Sequence, residues 1–261
     1  MIWPKLVIIT LGILNSTVAF SASPESEGGR IANKAYLSTR GWKDYSVNLQ
    51  MDIHLSDGRT ASKYLKLKNL EGKNDDDKSL VVFDRPADIK GTALLTHAFP
   101  DKPNDQWLYL PDLRRTKRIV SKDRNQSFMG SEFTYDDMNF NDLKKFSYKL
   151  LRKEKCGSLE CFVVEQTPTD KEYTYSKVIA WYDSEAYRHQ KSQFFDKSGQ
   201  LKKEMERKGY KKHLDKVWFA NEMKMTNLQT KNATVIRFDN FKFHAGLVDK
   251  DFQSEQLSRI K

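Results

Sequence analysis

The sequence predicts a mainly β protein with a few helices, whose strands form an antiparallel meander curled into a barrel or half-barrel. Three observations support this prediction. Apolar residues alternate strictly with polar residues over residues 45–55, which indicates a strand with one apolar face. Asp57-Gly58 follows directly and is a strong signal for a hairpin turn. About a dozen strand-like runs with short connections fill most of the remaining chain, as expected for an antiparallel barrel.

The N-terminal 22 residues have the layout of a secretory signal peptide. Lys5 precedes an apolar run over residues 6–14, and small residues surround the expected cleavage point after Ser21 or Ser23. A membrane anchor is the alternative, but this apolar run is too short to span a bilayer. We therefore expect a periplasmic protein whose residues 23–261 form a single domain, since no linker rich in Pro, Ser or Gly interrupts them.

The predicted elements follow in chain order. A helix is predicted over residues 27–39, where Ile31, Ala35 and their neighbours form one apolar stripe. Residues 130–141 are predicted to be a short helix or ordered loop, and residues 249–260 a C-terminal helix. The predicted strands cover residues 45–55, 59–70, 79–84, 92–99, 106–110, 115–121, 145–154, 160–167, 174–183, 188–196, 201–210, 216–228 and 233–243.

The chain is basic, with a formal net charge of +10, which is compatible with nucleic acid, anionic lipid or an acidic partner. Asp and Glu are interspersed among the basic residues, and the predicted compartment disfavours nucleic acid, so we expect no nucleic-acid partner. Arg114, Arg115, Lys117 and Arg118 form the clearest basic cluster. This cluster is either a solvated strand face or a docking face for a partner or for lipid headgroups.

Cys156 and Cys161 are the two cysteines of the chain and lie between two strand-like runs. In an oxidising compartment they are expected to form a disulfide that clamps the end of a hairpin. A redox-active pair is the alternative, but the C-x-x-C spacing at a helix start is absent.

Catalytic motifs are not recognisable in this sequence. The five His residues are scattered, and no nucleophile elbow, zinc-protease motif, phosphate loop or dinucleotide fingerprint is present. Asp136 and Asp137 are consecutive and would point in different directions, so a turn or helix-terminus role is favoured over paired catalysis. The sequence predicts no enzyme, no cofactor and no metal site.

Large, adaptable apolar side chains are abundant, with fifteen Phe, eleven Tyr and seven Met. They either form a packed core or line a ligand cavity, since a barrel of many strands is wider than its own side chains fill. Unbranched Met suits a surface that repacks around varied ligands. The candidates for the cavity wall are Val47, Leu49, Met51, Ile53, Leu95, Trp107, Tyr109, Phe128, Met129, Phe133, Trp181, Trp218, Met223 and Met225.

A central block of the sequence is specific enough to suggest a family. It comprises FDRPADIKGTALL at residues 83–95, DQWLYLP at 105–111, RRTKRI at 114–119 and SFMGSEFTYDD at 127–137. This block resembles the bacterial outer-membrane lipoprotein-sorting protein family, a branch of the LolA-like superfamily. The resemblance continues through residues 27–32 and 246–252 and so covers nearly the whole mature chain.

The resemblance implies a LolA/LolB-like fold, which is a curved, incompletely closed antiparallel barrel with helices as a lid across its open side. It also implies a periplasmic carrier that holds lipid or lipoprotein acyl chains in a hydrophobic cavity and moves them between membranes. An inner-membrane transporter of the RND superfamily is the implied partner. The alternative is an accessory protein that docks on such a transporter without carrying cargo. In either case we expect a monomer.

Overall fold

A computed structural model describes residues 26–138 and 143–260 of the chain. The predicted signal peptide and the end of the segment predicted over residues 130–141 lie outside these residues. The elements are α1 (Glu27–Leu37), β1 (Asp44–His54), β2 (Thr60–Leu70), β3 (Lys78–Arg85), β4 (Ala93–His97), β5 (Asp105–Leu110), β6 (Arg115–Ile119), β7 (Phe146–Cys156), β8 (Leu159–Pro168), β9 (Lys177–Asp183), β10 (His189–Phe195), β11 (Leu201–Lys208), β12 (Lys211–His213), β13 (Val217–Phe219), β14 (Glu222–Asn227) and β15 (Ala233–Phe243).

Thirteen of these strands form one antiparallel sheet, in the order β6-β5-β4-β3-β2-β1-β15-β14-β11-β10-β9-β8-β7. Hairpins connect most neighbours, and the pairing of β1 with β15 joins the first and last strands in the middle of the sheet. β6 and β7 are the two edges and do not pair with each other, so the sheet is curved but not closed. The predicted mainly β, unclosed antiparallel fold is confirmed.

Two predicted elements differ from the structure. The strand predicted over residues 216–228 is interrupted, because β13 pairs with β12 in a separate hairpin before β14 joins the main sheet. The predicted C-terminal helix consists of two 3-10 helices, Asp249–Phe252 and Ser254–Arg259. They are separated at Gln253, whose extended backbone (φ −93°, ψ 135°) breaks the helical path.

The two faces of the sheet are covered by different parts of the chain. Successive strand residues point to opposite faces, and we call the face that carries Leu94 the inner face and the one that carries Leu95 the outer face. Residues 121–138, the covering segment, pack on the inner face through side chains such as Phe128. The C-terminal 3-10 helices pack on the outer face through Phe252 and Leu257. They are therefore not part of a lid over the inner face.

Helix α1 packs on the other end of the inner face. Its Ile31 and Ala35 contact Val164 and Ala180 of β8 and β9. Ser26 caps the helix, since its Oγ accepts a hydrogen bond from the backbone N–H of Gly29 at 3.0 Å. Within the described part of the chain, no helix is both long and apolar enough to cross a membrane.

The predicted disulfide between Cys156 and Cys161 is present. It closes the end of the β7–β8 hairpin, where the two residues flank the turn. Cys161 is fully buried beside Val163 and Trp181 on the outer face. The bridge thus fixes one edge of the main sheet.

Candidate functional site

A cavity of about 360 Å³ lies between the inner face of the sheet, helix α1 and the covering segment. Ala32 and Ala35 of α1 form one wall, and Phe133 and Met138 of the covering segment form another. Residues of β9, β10, β11 and β14 form one part of the floor, and residues of β1, β2, β4 and β15, such as Tyr45, Leu67 and Thr96, also line the cavity. The volume falls within the roughly 300–1,000 Å³ of small-molecule sites in proteins.

Three methionines form part of the cavity floor. Met205 of β11 lies directly opposite Met225 of β14 in the strand register, and Met223 precedes Met225 by two residues on the same face of β14. All three side chains are buried and line the cavity. Because Met is unbranched and polarisable, this floor can adjust to ligands of different shape.

Aromatic rings line the end of the cavity near the β12–β13 hairpin. Phe219 stacks on Phe241 with ring centroids 5.4 Å apart, and Trp218 also lines this end. The hairpin is attached to α1, since the backbone N–H of Trp218 donates to the carbonyl oxygen of Ser38 at 3.0 Å. Helix and hairpin therefore form one continuous border of the cavity.

Two acidic residues of the covering segment also reach the cavity. Asp136 is buried and accepts hydrogen bonds from the backbone N–H and the Oγ1 of Thr174, at 2.9 and 2.6 Å. Asp137 accepts bonds from Thr134 and from the hydroxyl of Tyr175. Burial raises the pKa of both carboxyls, although these hydrogen bonds act in the opposite direction. Both groups thus hold the covering segment in place, in agreement with the turn role predicted for them.

The remaining polar end of the cavity is basic. His189 and Arg207 lie side by side, and the Arg207 guanidinium donates to His189 Nδ1. Burial lowers the pKa of His189 well below its usual value, and the neighbouring charge of Arg207 lowers it further. Nδ1 accepts a hydrogen bond, so the neutral ring carries its proton on Nε2, which lies 2.6 Å from Ser192 Oγ. This end of the cavity therefore carries a positive charge on Arg207 beside a neutral imidazole.

The structure places four of the predicted cavity residues on the cavity wall: Phe133, Trp218, Met223 and Met225. A second group lies in the inner-face core outside the cavity. It contains Val47, Leu49, Met51 and Ile53 of β1, together with Phe128 and Met129 of the covering segment that packs on this core.

The other predicted cavity residues lie on the outer face. Leu95, Trp107 and Tyr109 pack beneath the C-terminal 3-10 helices. Trp181 packs beside Cys161, and its Nε1 donates to a Glu154 carboxylate oxygen at 2.6 Å. These four side chains do not line the cavity, because each occupies the position in its strand that points away from it.

Sequence reasoning missed Met205, Arg207 and His189. Lys203, Met205 and Arg207 alternate along β11 and are directed to the inner face. That alternation is visible in the sequence, but its mixture of charged and apolar residues resembles a solvated strand.

The basic cluster Arg114, Arg115, Lys117 and Arg118 lies on and beside edge strand β6, and all four side chains are exposed. Lys117 forms a salt bridge with Asp123, with 3.0 Å between Nζ and Oδ2, and Arg118 forms one with Asp105. The cluster does not line the cavity, since β6 is the outermost strand and is separated by β5 from β4, which contributes Thr96 to the wall. Over residues 26–138 and 143–260, no group of three or more His, Cys, Asp or Glu side chains could hold a metal ion.

The chain was compared with protein-family models, with curated proteins and with solved structures. A family model described as an uncharacterized protein matches residues 75–259. A search of the curated proteins found no match.

Solved structures match over most of the chain. A Vibrio parahaemolyticus domain named for outer-membrane lipoprotein sorting is 39% identical, with a TM-score of 0.86 over 88% of this chain and 97% of that one. A DUF1329 family protein from Desulfovibrio piger is 27% identical, with a TM-score of 0.79 over 87% and 95%. A LolA superfamily protein from Nitrosomonas europaea shares the fold, at 21% identity and a TM-score of 0.71 over 87% and 98%.

Proposed function

The chain belongs to the family of the outer-membrane lipoprotein-sorting domain from Vibrio parahaemolyticus, and we propose that it is a periplasmic carrier of lipid or lipoprotein acyl chains. The observation that carries the proposal is the cavity, whose walls are rich in aromatic and Met side chains. An acyl chain gains about 0.8 kcal/mol for each CH₂ group that leaves water. A half-covered apolar cavity offers this gain while leaving a path for release.

The predicted signal peptide and the Vibrio relative support the proposed compartment and the proposed cargo. The predicted signal peptide supports a periplasmic location. The name of the Vibrio relative supports lipoproteins as the class of cargo. Since the cavity volume corresponds to a small ligand, we propose that it shields acyl chains and not a folded protein.

An inner-membrane RND-superfamily transporter is the proposed partner, and the exposed basic cluster on β6 is the proposed docking face. The family resemblance supports the transporter, and the position of the cluster on an exposed edge supports its accessibility. An accessory protein that docks without cargo is the alternative, and it requires the same docking face but no ligand in the cavity.

A cavity-filling substitution tests the carrier function. Met205→Trp puts a large ring into the cavity floor, and Met205→Leu is the matched control of similar volume. We expect Met205→Trp to weaken binding of a fluorescent fatty-acid probe at least about tenfold, or about 1.4 kcal/mol, and Met205→Leu to leave it nearly unchanged. Equal binding by both folded variants would place the ligand elsewhere, and no binding by the wild type would favour the accessory.

A further inference from the structure

Among the residues that the structure describes, Arg207 is a positive charge on the cavity wall without an acidic partner. No carboxylate of these residues lies within 4 Å of its guanidinium, which contacts His189 Nδ1 and lies 3.4 Å from Met223 Sδ. The two other cations that the described residues place on the wall, Lys78 and Arg188, are compensated. Lys78 pairs with Asp249 at 2.7 Å, and Arg188 pairs with Asp183 at 2.8 Å.

The neighbours of Arg207 hold it in position without neutralising it. His189 is half-buried and uncharged, and its ring is fixed between Arg207 and Ser192 Oγ. The Tyr210 hydroxyl donates to the His189 carbonyl oxygen at 2.7 Å, which fixes the backbone at the same place. His189 is thus a positioning residue for the guanidinium.

An arginine in such surroundings favours an anionic ligand. A cation next to apolar side chains is costly unless a counter-charge accompanies it. A guanidinium has five N–H donors, and the observed contacts leave several of them available. A carboxylate or phosphate can accept two of these bonds in parallel, which is the strongest arrangement available to arginine.

We propose that the cavity binds an amphiphile whose anionic headgroup, a carboxylate or a phosphate, pairs with Arg207 while its acyl chain lies along Met205, Met223 and Met225. This inference rests on the proposed carrier function and specifies its ligand class. Arg207 and Met223 face each other in the strand register, so headgroup and chain sites adjoin. A neutral acyl ester would fill the apolar part and leave the guanidinium without a counter-charge.

Competition between ligands with the same chain tests the inference. Dodecanoate, dodecyl phosphate and 1-dodecanol would each displace the neutral fluorescent probe N-phenyl-1-naphthylamine from the wild type, Arg207→Gln and Arg59→Gln. Arg59 is an exposed arginine in the β1–β2 turn, paired with Asp57, and controls for net charge. We expect both anions to bind the wild type about tenfold more tightly than the alcohol, as a charge-assisted pair predicts. Arg207→Gln removes this preference and leaves alcohol binding unchanged, and Arg59→Gln has no effect.

Several outcomes would overturn the inference. Equal affinity of the wild type for all three ligands, or an equal loss for all three in Arg207→Gln, would show that Arg207 does not recognise the headgroup, while the carrier function would stand. If inorganic phosphate displaces the probe as well as dodecyl phosphate does, the cavity contains a site for free anions and not for an anionic amphiphile. If none of the three ligands displaces the probe, the carrier function fails together with this inference.

Discussion

Two carboxylates that face the same arginine have pKa values that are shifted in opposite directions. Arg124 lies 3.5 Å from Asp136 and 2.8 Å from Asp170. Asp136 is buried, and burial raises its pKa despite the hydrogen bonds from Thr174. Asp170 is partly exposed. Burial is the largest single effect on its pKa and would raise it, but the hydrogen bonds from Arg124 and the Glu172 backbone, together with the charges of Arg124 and Lys197, outweigh burial and lower the pKa. The degree of burial, and not the presence of a basic neighbour, decides the direction of the shift.

Asp136→Asn should reduce the dependence of the unfolding free energy on pH. Because the folded state raises the pKa of Asp136, it binds the proton more tightly than the unfolded chain. That stability is complete below the ordinary Asp pKa of about 3.9 and is lost as the pH rises through the raised pKa. Urea unfolding of both proteins across this range checks whether the decline disappears in the variant.

Asp52→Asn provides a contrast of opposite sign. Burial would raise the pKa of Asp52, but hydrogen bonds from Ser62 and Gln50 and the charge of Arg237 outweigh it and lower the pKa. Its contribution is therefore present above the ordinary Asp pKa and is lost as the pH falls through the lowered value. If both variants change the pH profile in the same direction, the explanation for Asp136 is incorrect.

Single cavity residues could be predicted only in part. The alternation in β1 correctly separates Val47 and Met51 from their polar neighbours, and both are buried. It does not reveal that the covering segment packs on this stretch and fills the space above it. In β4, Leu94 and Leu95 are both apolar, so no alternation distinguishes the inner from the outer face. Both failures have the same cause. A sequence pattern shows that neighbouring side chains point to opposite faces of a strand, but which segment covers each face depends on tertiary contacts.

At the scale of elements, the close approach of α1 to edge strand β7 depends on a glycine. A Cβ atom on Gly28 would lie 2.7 Å from the backbone nitrogen of Leu150 and 2.8 Å from the carbonyl carbon of Lys149. Ser26 Oγ also donates to the Tyr148 carbonyl oxygen at 2.9 Å. The first turn of the helix is therefore seated directly on strand backbone.

Gly28→Ala should destabilise the protein although Ala is the better helix former. Helix propensity favours Ala by about 1 kcal/mol, but overpacking against backbone that cannot yield costs about 1–3 kcal/mol. We expect a net decrease in the free energy of unfolding, measured by urea titration. Glu27→Ala, on an exposed neighbour in the same turn, should have little effect. A stabilised Gly28→Ala variant would mean that α1 can move away from β7.

Strand β6 carries two possible roles for its positive charges. Charged side chains on an edge strand prevent pairing with the edges of other molecules. The same charges can dock an acidic partner. Arg114 and Arg115 are exposed and, among the described residues, lack a carboxylate within 4 Å, whereas Lys117 and Arg118 are paired.

Charge reversal distinguishes the two roles, because glutamate protects an edge strand as well as arginine does. Arg114→Glu/Arg115→Glu should remain monomeric and stable but lose docking. A photo-crosslinking amino acid at Leu113, which is 67% exposed, should capture an RND-superfamily transporter in cells, and the double variant should reduce the yield about tenfold or more. Lys153→Glu/Lys155→Glu on the opposite edge strand is the matched control. Unchanged crosslinking in the Arg114→Glu/Arg115→Glu variant would remove β6 as the docking face.

The elements themselves were largely predictable, and the exceptions have physical reasons. Strands with strict alternation and turn glycines, such as β1 and β2, begin and end within one residue of prediction. The β12–β13 hairpin was missed, because Gly209 and residues 214–215 form tight turns with positive φ that interrupt an otherwise strand-like run. The apolar residues Phe252 and Leu257 suit a helix, but their packing on the outer face is achieved by short 3-10 turns.

At the scale of the whole molecule, the open sheet separates three features in space. Its inner face holds the cavity, the C-terminal 3-10 helices cover part of its outer face, and its β6 edge presents basic side chains. The central pairing of β1 with β15 joins the two halves into one continuous sheet. A ligand can therefore occupy the cavity while a partner contacts the β6 edge. Sequence periodicity predicted the antiparallel meander. It could not predict which face of the sheet holds the cavity, because this depends on which segments cover each face.

Native mass spectrometry of the mature protein, combined with lipid extraction, is the most direct test of whether the protein carries lipid. The protein would be purified from a periplasmic fraction without detergent, so that any cargo remains bound. We expect phospholipid, fatty acid or lipopeptide to be bound in near-stoichiometric amount and to be lost in a folded Met205→Trp variant. Protein that is free of lipid and also fails to take up a fluorescent fatty-acid probe would contradict it.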